Sequence, residues 1–108
     1  MNKIEITTVE AFHEALAAHD YVLADFYKDN CPGCKMLDMS LNRFATTPAA
    51  EGVTLLKVKL ENVGEAFFHE LKLRQTPTLI MYRGSEELGR QPGFAQPAQI
   101  EALVAQPA

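Results

Sequence analysis

Apolar residues recur along the chain in two rhythms, one of helical and one of strand period. Val9, Phe12 and Leu16 stand at helical spacing behind Thr7, and Glu10 three positions on offers a capping box. A first amphipathic helix is therefore predicted up to a stop near Asp20. Val22-Leu23-Ala24-Asp25-Phe26-Tyr27 is apolar but for one residue and runs into the turn formers Asp29-Asn30, the pattern of a strand covered on both faces. From Cys31 to about Ala45 the residues favour helix, and Pro32 stands where a first-turn proline is tolerated. Val53 to Leu60 predicts a second central strand, with Thr54, Leu56, Val58 and Leu60 on one face and Lys57 and Lys59 on the other. Asn62 with Glu65 predicts the cap of a third helix carrying Val63, Phe67 and Leu71. Thr78 to Arg83 and Glu86 to Arg90 form a hairpin around Gly84-Ser85, and Pro97 opens a last helix with Ile100, Leu103 and Val104.

With a short edge strand expected at Lys3 to Ile6, helices and strands alternate through the first half and a hairpin follows. Alternation demands parallel pairing with helices over both faces, and the hairpin adds antiparallel strands to the same sheet. The expected fold is α/β, a mixed central sheet in a three-layer sandwich. No repeat, low-complexity tract or linker divides the chain, so residues 1–108 are expected to form a single domain, with only Ala105 to Ala108 as a frayed tail.

Composition adds exclusions. A chain of 108 residues with 47% hydrophobic and 22% charged side chains is neither disordered nor collagenous. Its net charge of -4 has the wrong sign for phosphate binding, so no nucleic acid partner is expected. No apolar run approaches the length of a membrane span, and Met1-Asn2-Lys3-Ile4-Glu5 lacks the form of a secretory signal. A soluble, cytoplasmic, monomeric protein is expected. In that compartment a close cysteine pair is more often catalytic or metal-binding than a permanent bridge.

Cys31-Pro32-Gly33-Cys34 places two thiols one turn apart at a helix N-terminus, directly after a buried strand. Unpaired N–H groups and the helix dipole stabilise a thiolate there. Cys31 gains most and is expected to be the more exposed, which makes it the nucleophile. Cys34, inside the first turn, is placed to resolve a mixed disulfide. Two other readings stand beside this one: inert buried thiols, and half a zinc site. The second is poorly served, because His13 and His19 point in different directions from one helix and His69 stands alone.

Two segments, Asp25-Phe26-Tyr27-Lys28-Asp29-Asn30-Cys31-Pro32-Gly33-Cys34-Lys35-Met36 and Arg74-Gln75-Thr76-Pro77-Thr78-Leu79, resemble the paired signatures of the thioredoxin family, at a matching separation. The resemblance runs from the first helix to Gly93. It implies the thioredoxin fold and dithiol–disulfide exchange with protein disulfides. No cofactor is implied beyond the redox-active Cys31–Cys34 disulfide, and a thioredoxin reductase is the expected electron donor. Asp25, an acid amid apolar residues, would cost several kcal/mol if buried, ionised and unpaired. The resemblance puts it beneath the disulfide, exchanging a proton with Cys34; the alternative is a solvated strand-end aspartate. Lys57 falls where the family keeps a lysine near that aspartate, the alternative being an ammonium that snorkels to water. X-Pro statistics favour a trans bond at Pro77, whereas the resemblance implies cis, with the Thr76 backbone beside the cysteines for an extended substrate and with room left by Gly93.

The departures are informative. Thioredoxins usually carry tryptophan where this chain has Asn30 and Tyr27, so a more polar substrate face is expected. Their Gly-Pro between the cysteines is reversed as Pro32-Gly33, a proline being missing at Met39, and Thr76 replaces a branched aliphatic residue. Pro32 removes one N–H and Gly33 loosens the turn, while proline at the first helical position preorganises it; the expected balance is a potential less reducing than that of ordinary thioredoxins. Proline after the first cysteine is shared with glutaredoxins, which leaves a glutathione-coupled reductase as an alternative function. A non-enzymatic binding or assembly module on the same fold is another.

Overall fold

The computed structural model describes residues 1–106; Pro107 and Ala108, part of the expected tail, lie outside the described residues. In chain order the elements are β1 (Asn2–Ile6), α1 (Val9–Ala18), β2 (Tyr21–Tyr27), α2 (Pro32–Phe44), β3 (Thr54–Lys59), α3 (Leu60–Val63), α4 (Glu65–Glu70), β4 (Thr78–Arg83), β5 (Glu86–Pro92) and α5 (Pro97–Val104). The strands pair in the order β1-β3-β2-β4-β5. β1, β3 and β2 run parallel, and β4 and β5 add antiparallel ladders.

Alternation along β2 distributes its side chains to two cores. Val22, Ala24 and Phe26 pack with Phe12 and Leu16 of α1 and with Phe67 and Phe68 of α4. Leu23 packs on the opposite side with Leu37, Leu41 and Phe44 of α2 and with Ile100 and Leu103 of α5. Each large apolar side chain buried in this way contributes roughly 1.5–3 kcal/mol. The expected three-layer sandwich results, and Asp25, two residues from Leu23, falls on the α2 side of the sheet.

Local choices differ from the sequence expectation in three places. Thr8, not Thr7, caps α1, its Oγ1 accepting the Ala11 N–H at 3.0 Å. β3 is buried on both faces, as a central strand should be, with Leu55 in the α2 core and Leu56 and Val58 in the α1 core. The third helix is two short ones. Gly64 has φ 92° and donates its N–H to Leu60 O at 2.8 Å, which closes α3 before α4 begins. Asn62 and Glu65 consequently do not form a cap, and Val63 and Phe67 sit on different helices. A 3-10 turn at Pro48–Ala50, which the sequence pattern does not announce, buries Ala50 beneath α5.

Gly64 tests this break. A Cβ there would meet nothing within 4 Å, so any effect of alanine comes from the backbone alone. Gly64→Ala is expected to lower stability by about 1–2 kcal/mol, seen as a shifted denaturation midpoint with an unchanged slope.

Candidate active site

The chain leaves β2 at Tyr27, turns through Asn30 in the left-handed region at φ 54°, and enters α2 with Cys31 as N-cap and Pro32 as its first helical residue. Asparagine tolerates that conformation better than most side chains. Cys31 and Cys34 form a disulfide with a Cα–Cα distance of 5.2 Å. The Cys34 N–H donates to Cys31 Sγ at 3.2 Å, a cap made by sulfur where serine or aspartate would ordinarily supply oxygen. The N–H missing from Pro32 is therefore not the one that caps the sulfur. One expectation needs correction: the cysteines are equally buried in the disulfide, at 6% and 5% exposure. Their difference is positional, since Cys31 alone is the cap of the helix.

The second signature segment closes over the first. The Thr76-Pro77 bond is cis, and Cys31 Sγ lies 3.9 Å from Thr76 O and 4.0 Å from its Oγ1. A Cβ on Gly33 would stand 3.4 Å from the Pro77 ring. Gly93, at φ 79°, donates its N–H to Pro77 O at 2.8 Å. Thr76 thus stands against Cys31, with Pro77 beside Gly33 and Gly93 bonded to Pro77, while Pro32 and Asn30 are exposed. Beside Thr76 opens a cleft of about 280 Å³, lined in part by Leu60, Phe68, Lys28 and Arg74, which the sequence pattern does not reveal.

Beneath α2 lies a buried ion pair. Asp25 and Lys57 are partners in the β2–β3 register, 1% and 4% exposed, with Nζ 2.6 Å from Oδ2. Neither is a solvated surface charge. Asp25 Oδ1 is buried and has no hydrogen-bond donor among the described residues. Burial pushes the Asp25 carboxyl up from 3.8 to about 6, against the pull of the Lys57 charge and hydrogen bond, while Asp38 and Glu5 push it further in the same direction. Burial opposes the charge on Lys57 too, but the charges and hydrogen bonds of Asp25 and Asp38 outweigh it and hold the ammonium above its ordinary value. The carboxyl is consequently the member that titrates near neutrality.

Asp38 is the residue that sequence reasoning missed. Its Oδ1 is 2.5 Å from Lys57 Nζ, and its side chain is 51% exposed. The available signal was its place one turn after Cys34 on α2; its partner on a distant strand had none. Tyr27 joins the same group: its ring centroid lies 4.3 Å from Lys57 Nζ, and its hydroxyl donates to Glu5 Oε2 at 3.3 Å. Its contacts run to the lysine, whereas Cys31 meets Thr76. Among the described residues no three His, Cys, Asp or Glu side chains are grouped as metal ligands, and no helix is long and apolar enough to cross a membrane.

The profile of the Thioredoxin family matches residues 3–106. Thioredoxin from Malassezia sympodialis is 24% identical over 101 residues, covering 94% of each chain. Its crystal structure superposes with a TM-score of 0.82 over 98% of this chain and 93% of that one, at 23% identity. Thioredoxin-2 of Saccharomyces cerevisiae is 28% identical over 102 residues, again 94% of each chain. The structure of Trxlp from Edwardsiella tarda, 30% identical, superposes with a TM-score of 0.78 over 94% of this chain and 97% of that one. Thioredoxins are disulfide oxidoreductases that need no bound cofactor, and this chain carries its cysteine pair at the N-terminus of α2 on the same mixed sheet. With almost its whole length matched, the chain belongs to the thioredoxin family and is a dithiol–disulfide oxidoreductase.

Proposed function

We propose that the chain, working as one domain over residues 1–108, reduces disulfides in other proteins, with Cys31 as nucleophile, Cys34 as resolving thiol and Asp25 as the group that takes and returns a proton. The observation that carries this reading is a carboxyl buried under α2, raised to about 6, with one oxygen free of donors. The Cys31 thiolate attacks one sulfur of the substrate disulfide, and the other substrate sulfur leaves as a thiolate. Cys34 then passes its proton to Asp25 and attacks Cys31 Sγ. The second substrate sulfur departs, and the cysteine pair is left oxidised by two electrons. Lys57 tunes Asp25 through its charge. Thr76 offers backbone N–H and C=O to an extended substrate segment in the manner of an added strand, bordered by Asn30, Pro32, Gly33, Pro77 and Gly93, with Tyr27 supporting Lys57. A thioredoxin reductase in the cytoplasm would restore the dithiol, and a monomer suffices for the cycle.

If the N-cap position distinguishes the thiols, Cys31 in the reduced protein should be alkylated at neutral pH at least tenfold faster than Cys34, on the order expected for a lowered thiol pKa. Mass spectrometry of partly alkylated protein gives the ratio, and equal rates would remove the assignment. Cys34→Ser should in addition trap mixed disulfides with protein targets that Cys31→Ser does not.

Asp25→Asn should slow disulfide reduction and also stabilise the fold. With a native value near 6 and an unfolded value near 3.8, the native protein binds more protons between those limits. Stability contributed by the protonated carboxyl is thus present at low pH and lost as pH rises through that window. At pH 7 the asparagine variant is expected to be more stable by up to about 3 kcal/mol, an advantage that vanishes below pH 4 in denaturant titrations.

Because the N–H that donates to Cys31 Sγ is that of Cys34 and not of residue 32, proline at position 32 preorganises the turn without removing that donor. The reduction potential is expected above the roughly -270 mV of thioredoxin and toward about -200 to -230 mV. Equilibration against glutathione measures it. Turnover with glutathione alone, set against turnover with a thioredoxin reductase, separates this function from a glutaredoxin-like one.

A further inference from the structure

Lys57 is held from two sides. Asp25, on β2, receives its ammonium inside the sheet–helix interface, and Asp38, on α2, receives it where the side chain reaches solvent. Cys34 and Asp38 are four residues apart on α2, so both stand on the stripe of the helix that faces the α2 side of β2 and β3. The other groups around Asp25 complete the picture. Glu5 of β1 is the register partner of Lys57, Tyr27 of β2 lies against the ammonium, and Leu79 of β4, opposite Asp25, carries no charge.

The geometry points to Asp38 as a positioning residue for proton transfer at Asp25: it holds the far side of the Lys57 ammonium, so that the cation is shared between an exposed and a buried carboxylate rather than committed to Asp25 alone. This rests on the reading of Asp25 as proton acceptor for Cys34. A lysine with one partner would neutralise Asp25 as a permanent ion pair, a poor recipient for a proton. With Asp38 in place, the ammonium keeps a second partner when Asp25 takes up the proton, so protonation does not strand a buried cation. Asp38 acts on Asp25 by holding Lys57 and, through space, by its own charge.

Replacing Asp38 by asparagine removes a negative charge near Asp25 and leaves the ammonium to Asp25, and both changes favour the ionised carboxyl. The test follows the resolving step in isolation. The reduced protein is mixed with a chromogenic bis(nitrobenzoate) disulfide. Cys31 attacks it and releases one coloured thiolate; Cys34 then gives up its proton, attacks Cys31 Sγ and releases the second, leaving the cysteine pair oxidised and the reagent fully reduced. Stopped-flow rates of the second release are recorded across pH for the wild type, Asp38→Asn, Asp38→Glu and Asp25→Asn. The side-chain carboxyl of Asp25 is titrated in parallel by carbon NMR.

In Asp38→Asn both the kinetic inflection and the NMR midpoint should move to lower pH by roughly one pH unit, and Asp38→Glu should restore them. A merely structural role for Asp38 would change unfolding but leave both midpoints in place, and that result overturns the proposal. If Asp25→Asn loses the inflection while Asp38→Asn leaves it unmoved, Asp25 keeps its role and only the assignment of Asp38 falls. If Asp25→Asn retains the inflection, Asp25 is not the base, and the proposal for Asp38 falls with it.

Discussion

A carboxylate and an ammonium facing each other across the two central parallel strands are the constraint on which the rest of this molecule turns. Asp25 and Lys57 share a register position in β2 and β3, where both faces of the sheet are covered by helices. Removing two charges from water costs several kcal/mol per ion, and removing Lys57 would leave Asp25 an unmatched charge in the interior. The fold tolerates the pair because the register fixes their separation and because Asp38 gives the ammonium a second acceptor; against this stands one oxygen of Asp25 with no donor among the described residues, which is a cost. In the proposed mechanism that oxygen is where Asp25 takes up a proton.

The helix start above the pair supplies the other half of the chemistry. Backbone donors at a helix N-terminus seek an acceptor, and here the acceptor is the Cys31 sulfur; in the proposed mechanism the same donor would stabilise a thiolate there. Pro77 packs beside Gly33 and is tied to Gly93, which joins the helix start to the first turn of β4 and to the end of β5. Segments remote in sequence meet here through the Cys31 sulfur against Thr76, the Pro77 ring beside Gly33 and one backbone hydrogen bond from Gly93 to Pro77. That leaves positions such as Asn30 and Pro32 free to differ from the tryptophan and glycine usual in thioredoxins.

Much of this was legible before any coordinates, and what was not shares a physical cause. The periods of Val9, Phe12 and Leu16 and of Val22 to Tyr27 report directly which elements form, and the cysteine spacing reports a helix N-terminus. Choices between adjacent candidates were not legible: Thr7 and Thr8 both have the chemistry of a cap, and Thr8 is the one whose hydroxyl accepts the Ala11 N–H. Gly64 could have continued a helix, at a cost of about 1 kcal/mol; it instead takes a conformation only glycine reaches easily. Asp38 is an ordinary surface residue of an amphipathic helix until Lys57, nineteen positions later, is brought beneath it. The likeness of the two cysteines in exposure was invisible for the same reason, since burial at a helix start is set by Thr76 and Pro77 closing over it.

That closure acts on shape. With both cysteines nearly covered and Cys31 Sγ beside Thr76, little of the pair is open to an approaching sulfur. Access to the site is therefore limited by shape as well as by redox potential.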